Sequence, residues 1–297
     1  MKKLFKELFI VIGIFLIIVS LIEWRLSDFK APIDKLFITQ KKNAAANILI
    51  VGNSHTGALQ ETTDNFFIKH SNNLSLANLE LMDRYKVIKY CIQNGHIDKI
   101  ILGLDADQIG HKISYTNYDM QMSRYGIEMY NNTAGNKMLS KLNSFRLHLN
   151  INDLCKNLIS GKDTDTSKIN FIPFTNKKKS DNEACVKRAQ DHSIYIYQAK
   201  NRNENVTILQ NIIDICKTNK VELFFLQTPK PACYTDAFSN TQMHAATAII
   251  DSLANKNGVK YLNYLHNTLF EENDFVDFDH LGANGSNKLI ELIKKEL

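Results

Sequence analysis

Asn47-Ile48-Leu49-Ile50-Val51-Gly52-Asn53-Ser54-His55-Thr56-Gly57 decides the fold. Its first half is a short, continuous apolar run ending at glycine, the pattern of a strand buried on both faces. Its second half is a turn that carries a serine. At such a turn the hydroxyl lies at the carboxyl edge of a parallel sheet, where α/β folds bind ligands. Phosphate-binding turns and helix N-caps use the same residues, so this stretch alone leaves the chemistry open. Thr56 stands where the G-x-S-x-G elbow of α/β-hydrolases requires glycine.

Outward from this turn the same pattern recurs. Lys99–Leu104, Val221–Leu226 and Val259–Leu262 read as further buried strands, and Asn73–Leu76 as a short one. Leu81, Tyr85, Ile88 and Ile92 recur at helical spacing, with Gly95 where a C-terminal cap belongs. Residues 206–218 give another amphipathic helix, and Leu289, Ile290, Ile293 and Leu297 define a closing one. Alternating strands and helices predict an α/β fold, a three-layer α/β/α parallel sheet of about five strands. The alternation lapses over about 108–202, which reads as an insertion near the carboxyl ends of the strands, where it would shape a pocket.

The composition is that of a globular domain: 44% hydrophobic and 23% charged, with 12 Gly and 4 Pro in 297 residues, which excludes a disordered chain. One stretch disagrees. Leu8 to Ile22 is apolar except for Gly13 and Ser20, and with Leu4, Phe5 and Trp24 it is long enough for one membrane span. A cleaved signal peptide needs a small-x-small site after such a run, and Ile22-Glu23-Trp24-Arg25-Leu26 offers none. The expected organisation is therefore an anchor over 1–24, a tether over 25–46 and a domain over 47–297. The short basic N-terminus argues for an inside N-terminus and an exported domain.

The net charge of +5 comes from 36 basic and 31 acidic residues, and the only dense basic run, Lys177-Lys178-Lys179, reads as a solvated loop. No nucleic-acid partner is implied. Five cysteines at 91, 155, 185, 216 and 233 show no zinc spacing. Cys91 and Cys216 fall in apolar helical patterns, whereas Cys185 and Cys233 adjoin polar loop sequence and can pair in an exported domain.

Near the other end, Asp277 and His280 stand three residues apart in Phe275-Val276-Asp277-Phe278-Asp279-His280-Leu281-Gly282. On a tight turn the carboxylate can orient the imidazole while its other nitrogen faces a nucleophile. The alternatives are a capping Asp, or a metal group of Asp277, Asp279 and His280. His55 either lines the pocket or satisfies backbone groups. The remaining histidines, His111 and His192 among them, read as singletons, and Lys230, between two prolines, as an exposed loop lysine more readily than as one facing the site.

Gly52-Asn53-Ser54-His55 after the first strand and Asp277-x-x-His280 before the last helix resemble the first and last signature blocks of the SGNH (GDSL-like) hydrolases. The resemblance spans roughly 45–297 and implies a flavodoxin-like sheet. It makes Ser54 the nucleophile, His280 the general base and Asp277 its orienting carboxylate, with no cofactor and no metal. The Ser54 backbone N–H would serve the oxyanion hole. Asn78 is the nearest position for the second-block donor, since the family's glycine is missing. Asp105 stands where the family has Asn, and an ionised Asp cannot donate.

Leu102-Gly103-Leu104-Asp105, Gln227-Thr228-Pro229 and Asp279-His280-Leu281 resemble the membrane-tethered envelope branch, which includes D-alanyl transfer and polysaccharide O-acetylation proteins. In that setting Gln227 and His55 line the pocket. The substrate is an acylated envelope glycan or lipid-linked acyl donor, a membrane acyltransferase is a partner, and the domain faces the periplasm or exterior. The competing reading is a non-catalytic carbohydrate-binding or envelope-assembly protein on the same fold.

Overall fold

The apolar run after Asn47 forms β1 (Ile48–Val51), whose last three side chains are fully buried. It pairs in parallel with β2 (Ser71–Asn73) on one side and β3 (Lys99–Gly103) on the other. Beyond β3 lie β4 (Glu222–Gln227) and β5 (Lys260–Asn263), again parallel. The order β2-β1-β3-β4-β5 is the flavodoxin-like doubly wound arrangement, and its switch point falls between β1 and β3. The expected five-stranded α/β sheet is the one that forms. These coordinates come from a computed structural model that describes residues 2–26, 47–57, 59, 71–76, 79–111, 182–196, 199–238 and 240–297. Residues 27–46 of the tether and most of the insertion lie outside the described residues, and Arg25 and Leu26 continue the N-terminal helix.

Side chains alternate across each strand, so Ile50, Ile101, Phe224 and Leu226 share one face. They pack with Leu289, Ile290 and Ile293 of the closing helix, Ala283–Lys294. Each such side chain contributes about 1.5–3 kcal/mol on burial. The alternate residues, Leu49, Val51, Ile100, Leu102 and Phe225, are left for the opposite face. There the helices Leu81–Asn94 and Ala199–Thr218 pack against each other and on the sheet. Gly95 caps the first of these, its N–H bonding the Cys91 carbonyl at 2.9 Å.

Strand β2 starts two residues earlier than the sequence pattern indicates. It is an edge strand whose three residues are half-buried, so polar Asn72 and Asn73 are tolerated there. The apolar signal marks the continuation: Leu74 N–H bonds the Ile50 carbonyl at 2.8 Å and Leu76 N–H the Gly52 carbonyl at 3.2 Å. A helix over Asn240–Asn257 between β4 and β5 escaped the sequence reading. Its buried stripe includes Ala246 and Ala254, which carry little of a hydrophobic pattern.

Another helix, Asn182–Ile196, rises within the stretch read as insertion, and Cys185 on it is bonded to Cys233 on the short helix Ala232–Thr235. The expected disulfide is present, and Cys91 and Cys216 are buried free thiols. By itself, the N-terminal helix Lys2–Leu26 contains a stretch, Phe5–Trp24, of mean hydropathy 2.6. Twenty residues rise about 30 Å, so this stretch is long and apolar enough to cross a membrane.

Candidate active site

Where β1 ends, Asn53 builds the turn. Its side-chain oxygen accepts the His55 N–H at 3.0 Å, and its carbonyl accepts the Gly57 N–H and the Thr56 hydroxyl, both at 3.1 Å. Thr56 is wedged between Gly52 and Gly103, where a Cβ on either glycine would collide with its side chain. This close approach seats the single turn Ser54–Gly57 on the carboxyl edge of the sheet. As the first residue of that turn, Ser54 presents a backbone N–H with no intrahelical partner.

A second loop meets Ser54 from the far end of the chain. Phe275 and Leu281 form an antiparallel bridge that closes it. Within the loop, Asp277 Oδ1 accepts the backbone N–H of Asp279 at 3.0 Å and of His280 at 2.8 Å. The following helix comes so close that a Cβ on Gly285 would strike the Asp274 carbonyl. His280 Nε2 lies 2.8 Å from Ser54 Oγ, and its Nδ1 lies 2.9 Å from Asp277 Oδ2. The structure thus brings Ser54, His280 and Asp277 into one hydrogen-bonded line across a separation of 226 residues between serine and histidine.

Asp279, known from the sequence only as a member of a metal alternative, adds a second carboxylate. Its Oδ1 lies 3.1 Å from His280 Nδ1, and it is 3% exposed where the Asp277 side chain is 44% exposed. Its Oδ2 meets His55 Nε2 at 3.2 Å and accepts from Arg188 Nε at 3.1 Å. On its other side, His55 Nδ1 lies 2.6 Å from Asp105 Oδ2. His55 therefore bridges two buried carboxylates as well as bordering the pocket.

Burial alone would pull the His55 pKa down, but the Asp105 charge and the hydrogen bonds to Asp105 and Asp279 outweigh it and raise it to about 9. Asp105 is driven up by burial and held well below the usual carboxylate range by His55 and Lys230. Asp279 and Asp277 are also lowered, against burial, by hydrogen bonds to His280. A histidine whose folded pKa exceeds its unfolded value stabilises the fold fully below the unfolded value. That contribution is lost as pH rises through about 9. The shift from 6.5 corresponds to about 3 kcal/mol. Urea unfolding should accordingly show stability falling between pH 6.5 and about 9, and His55→Gln should flatten that fall.

As expected of an ionised carboxylate, Asp105 accepts: from Asn53 Nδ2 at 2.7 Å and Gln227 Nε2 at 3.0 Å, besides holding His55. Two expectations need correction. Gln227 does not line the pocket, because it is 1% exposed and its side-chain oxygen is taken by the Ala106 N–H at 2.7 Å. Lys230 is not an exposed loop lysine: its Nζ donates to the Asp279 carbonyl at 2.9 Å and lies 3.8 Å from Asp105 Oδ1. Asn78 lies outside the described residues.

The metal alternative also changes membership. Among the described residues, His55, Asp279 and His280 have donor atoms within 4.8 Å of one another, and Asp277 is not part of the group. Both ring nitrogens of His55 face carboxylates, Nδ1 at 2.6 Å from Asp105 and Nε2 at 3.2 Å from Asp279.

Ser54 opens onto a cleft of about 460 Å³. Arg84, Arg188, His192 and His111 also line it, and sequence reasoning missed all four as site residues. His192 Nδ1 lies 2.6 Å from Tyr234 Oη and His111 Nε2 lies 3.1 Å from Asp107 Oδ2, so neither is a singleton. The one available signal was the i, i+4 spacing of Arg188 and His192, which puts both on one helix face.

No family model matches the sequence, and no curated protein matches it. Among solved structures, a Bacteroides fragilis protein provisionally assigned as an acylhydrolase superimposes with a TM-score of 0.43 at 8% identity, over 84% of this chain and 85% of that one. A GDSL-like lipase from Bacteroides thetaiotaomicron superimposes with a TM-score of 0.44 at 10% identity, over 94% of this chain and 96% of that one. The fold is defined by the strand order and not by these distant likenesses.

Proposed function

We propose that this protein is a membrane-anchored serine esterase or O-acyltransferase of the SGNH type, acting on acyl, chiefly acetyl, esters of envelope glycans. The 2.8 Å contact between Ser54 Oγ and His280 Nε2, backed by Asp277 on Nδ1, carries the reading. His280 Nε2 takes the hydroxyl proton as Ser54 Oγ bonds to the acyl carbonyl carbon. The ester bond breaks, the imidazolium returns the proton to the leaving alkoxide, and the Ser54 backbone N–H faces the developing oxyanion. Water or a sugar hydroxyl then repeats the sequence in reverse roles and frees Ser54.

The N-terminal helix supports a single-pass anchor. The Cys185–Cys233 disulfide supports placing the domain on the periplasmic or extracellular side, since such bonds persist in oxidising compartments. A membrane acyltransferase partner would supply acyl groups if the glycan is the acceptor. The non-catalytic reading draws on the replacement of the family's Asn by Asp105, whose oxygens are all engaged as acceptors.

Brief exposure of the full chain to 4-nitrophenyl acetate, followed by peptide mass mapping, tests the proposal. Acetyl-Ser54 should form, at a rate unchanged by a chelator, and added oligosaccharide should speed its loss if the protein is a transferase. A folded protein that never acylates would favour the binding reading.

A further inference from the structure

The cleft wall carries several charges, and the fold consumes nearly all of them. Arg84 is 1% exposed and donates to the carbonyls of Leu79 and Gly103 and to Gln108 Oε1. Asp107 is held by His111, and Glu80 closes a capping box with Asp83. Arg188 is different. Its Nε donates to Asp279 Oδ2 at 3.1 Å, while its two terminal amino groups have no protein partner among the described residues. The side chain is 46% exposed and lines the same cleft as Ser54.

We infer that Arg188 and the adjoining cleft form a subsite for a carboxylate or phosphate group on the substrate. A guanidinium fixed through Nε leaves its two amino groups side by side, a fork that matches two oxygens of an anion. Arg188 is also fixed in place. Its helix is tied down by the Cys185–Cys233 disulfide three residues before it, by buried Ala189 next to it and by the His192–Tyr234 contact four residues after it. Asp279 does not cancel its charge alone, because that carboxylate is shared with His55 and His280. The same carboxylate touches His280, so an anion on Arg188 is seated beside the Ser54–His280 pair. Among the described residues, Leu79 and Leu81 are the only aliphatic ones of the wall, which suits a hydroxyl-rich anionic ligand and not a fatty acyl chain.

This subsite names the substrate class of the acyl-ester reading above and depends on it only for the identity of the scissile bond. The test therefore reads binding without chemistry. Full-length Ser54→Ala protein in detergent would be titrated by calorimetry with glucuronate, glucose 6-phosphate and glucose. At least one anionic sugar should bind about tenfold or more tightly than glucose, and the stronger of the two identifies carboxylate or phosphate as the group recognised. Arg188→Gln should erase the preference and Arg188→Lys keep part of it, each with the circular dichroism of the parent. Equal binding of all three sugars, a preference surviving in Arg188→Gln, or no anion binding up to about 10 mM would overturn the subsite. A failure of serine chemistry would appear instead as an unreactive wild-type Ser54 with anion binding intact.

Discussion

His280→Asn lowers the rate of Ser54 acylation by about 10⁴-fold or more while the protein stays folded. His280 is the only base within hydrogen-bond reach of Ser54 Oγ among the described residues, at 2.8 Å. Without it the hydroxyl attacks at its own unfavourable pKa. The fold tolerates the loss because Asp279 keeps His55 and Arg188, and Asp277 keeps its backbone donors at Asp279 and position 280. Asp277→Asn should cost less, about 10²-fold, since the buried Asp279 also lies 3.1 Å from His280 Nδ1 and still favours the imidazolium. Stopped-flow acylation by an activated acetyl ester, with circular dichroism as the control, measures both. An equal loss in the two variants would mean that Asp279 gives His280 no support.

Asp105→Ala has the largest expected effect on stability, about 3–5 kcal/mol. Its side chain is 4% exposed and satisfies Asn53, Gln227 and His55 while facing Lys230. Removing the carboxylate leaves a buried lysine and imidazolium without their main counter-charge, the situation in which one half of a buried ion pair is costly. His55 would then lose its proton more readily, so the fall in stability between pH 6.5 and about 9 should vanish in this variant. Urea titrations at several pH values check both outcomes. A wild-type-like midpoint in Asp105→Ala would show that the cluster under the site is not held by this carboxylate.

The sheet was legible because strands buried on both faces read as continuous apolar runs, and Ile48–Val51 or Leu223–Leu226 have no helical rival of that length. Ser54 was legible because it follows the end of such a strand, and Asp277 and His280 because they stand three residues apart just before the closing helix. The support beneath them was not. His55 meets Asp279 across 224 residues and Arg188 meets Asp279 across 91, and no local pattern encodes such pairs. Lys230 looked like loop polarity because its partners come from elsewhere in the chain, Asp105 from the end of β3 and the Asp279 carbonyl from the loop before the closing helix. Burial changes the meaning of these residues: a lysine beside prolines is solvated until the fold removes the water, and then it must find an acceptor.

The central claim is that Ser54 is an activated nucleophile, and a fluorophosphonate probe tests it most directly. Wild-type full-length protein should take up one probe on Ser54, located by peptide mapping, and folded Ser54→Ala should take up none. A folded wild type that labels no better than Ser54→Ala would contradict the account.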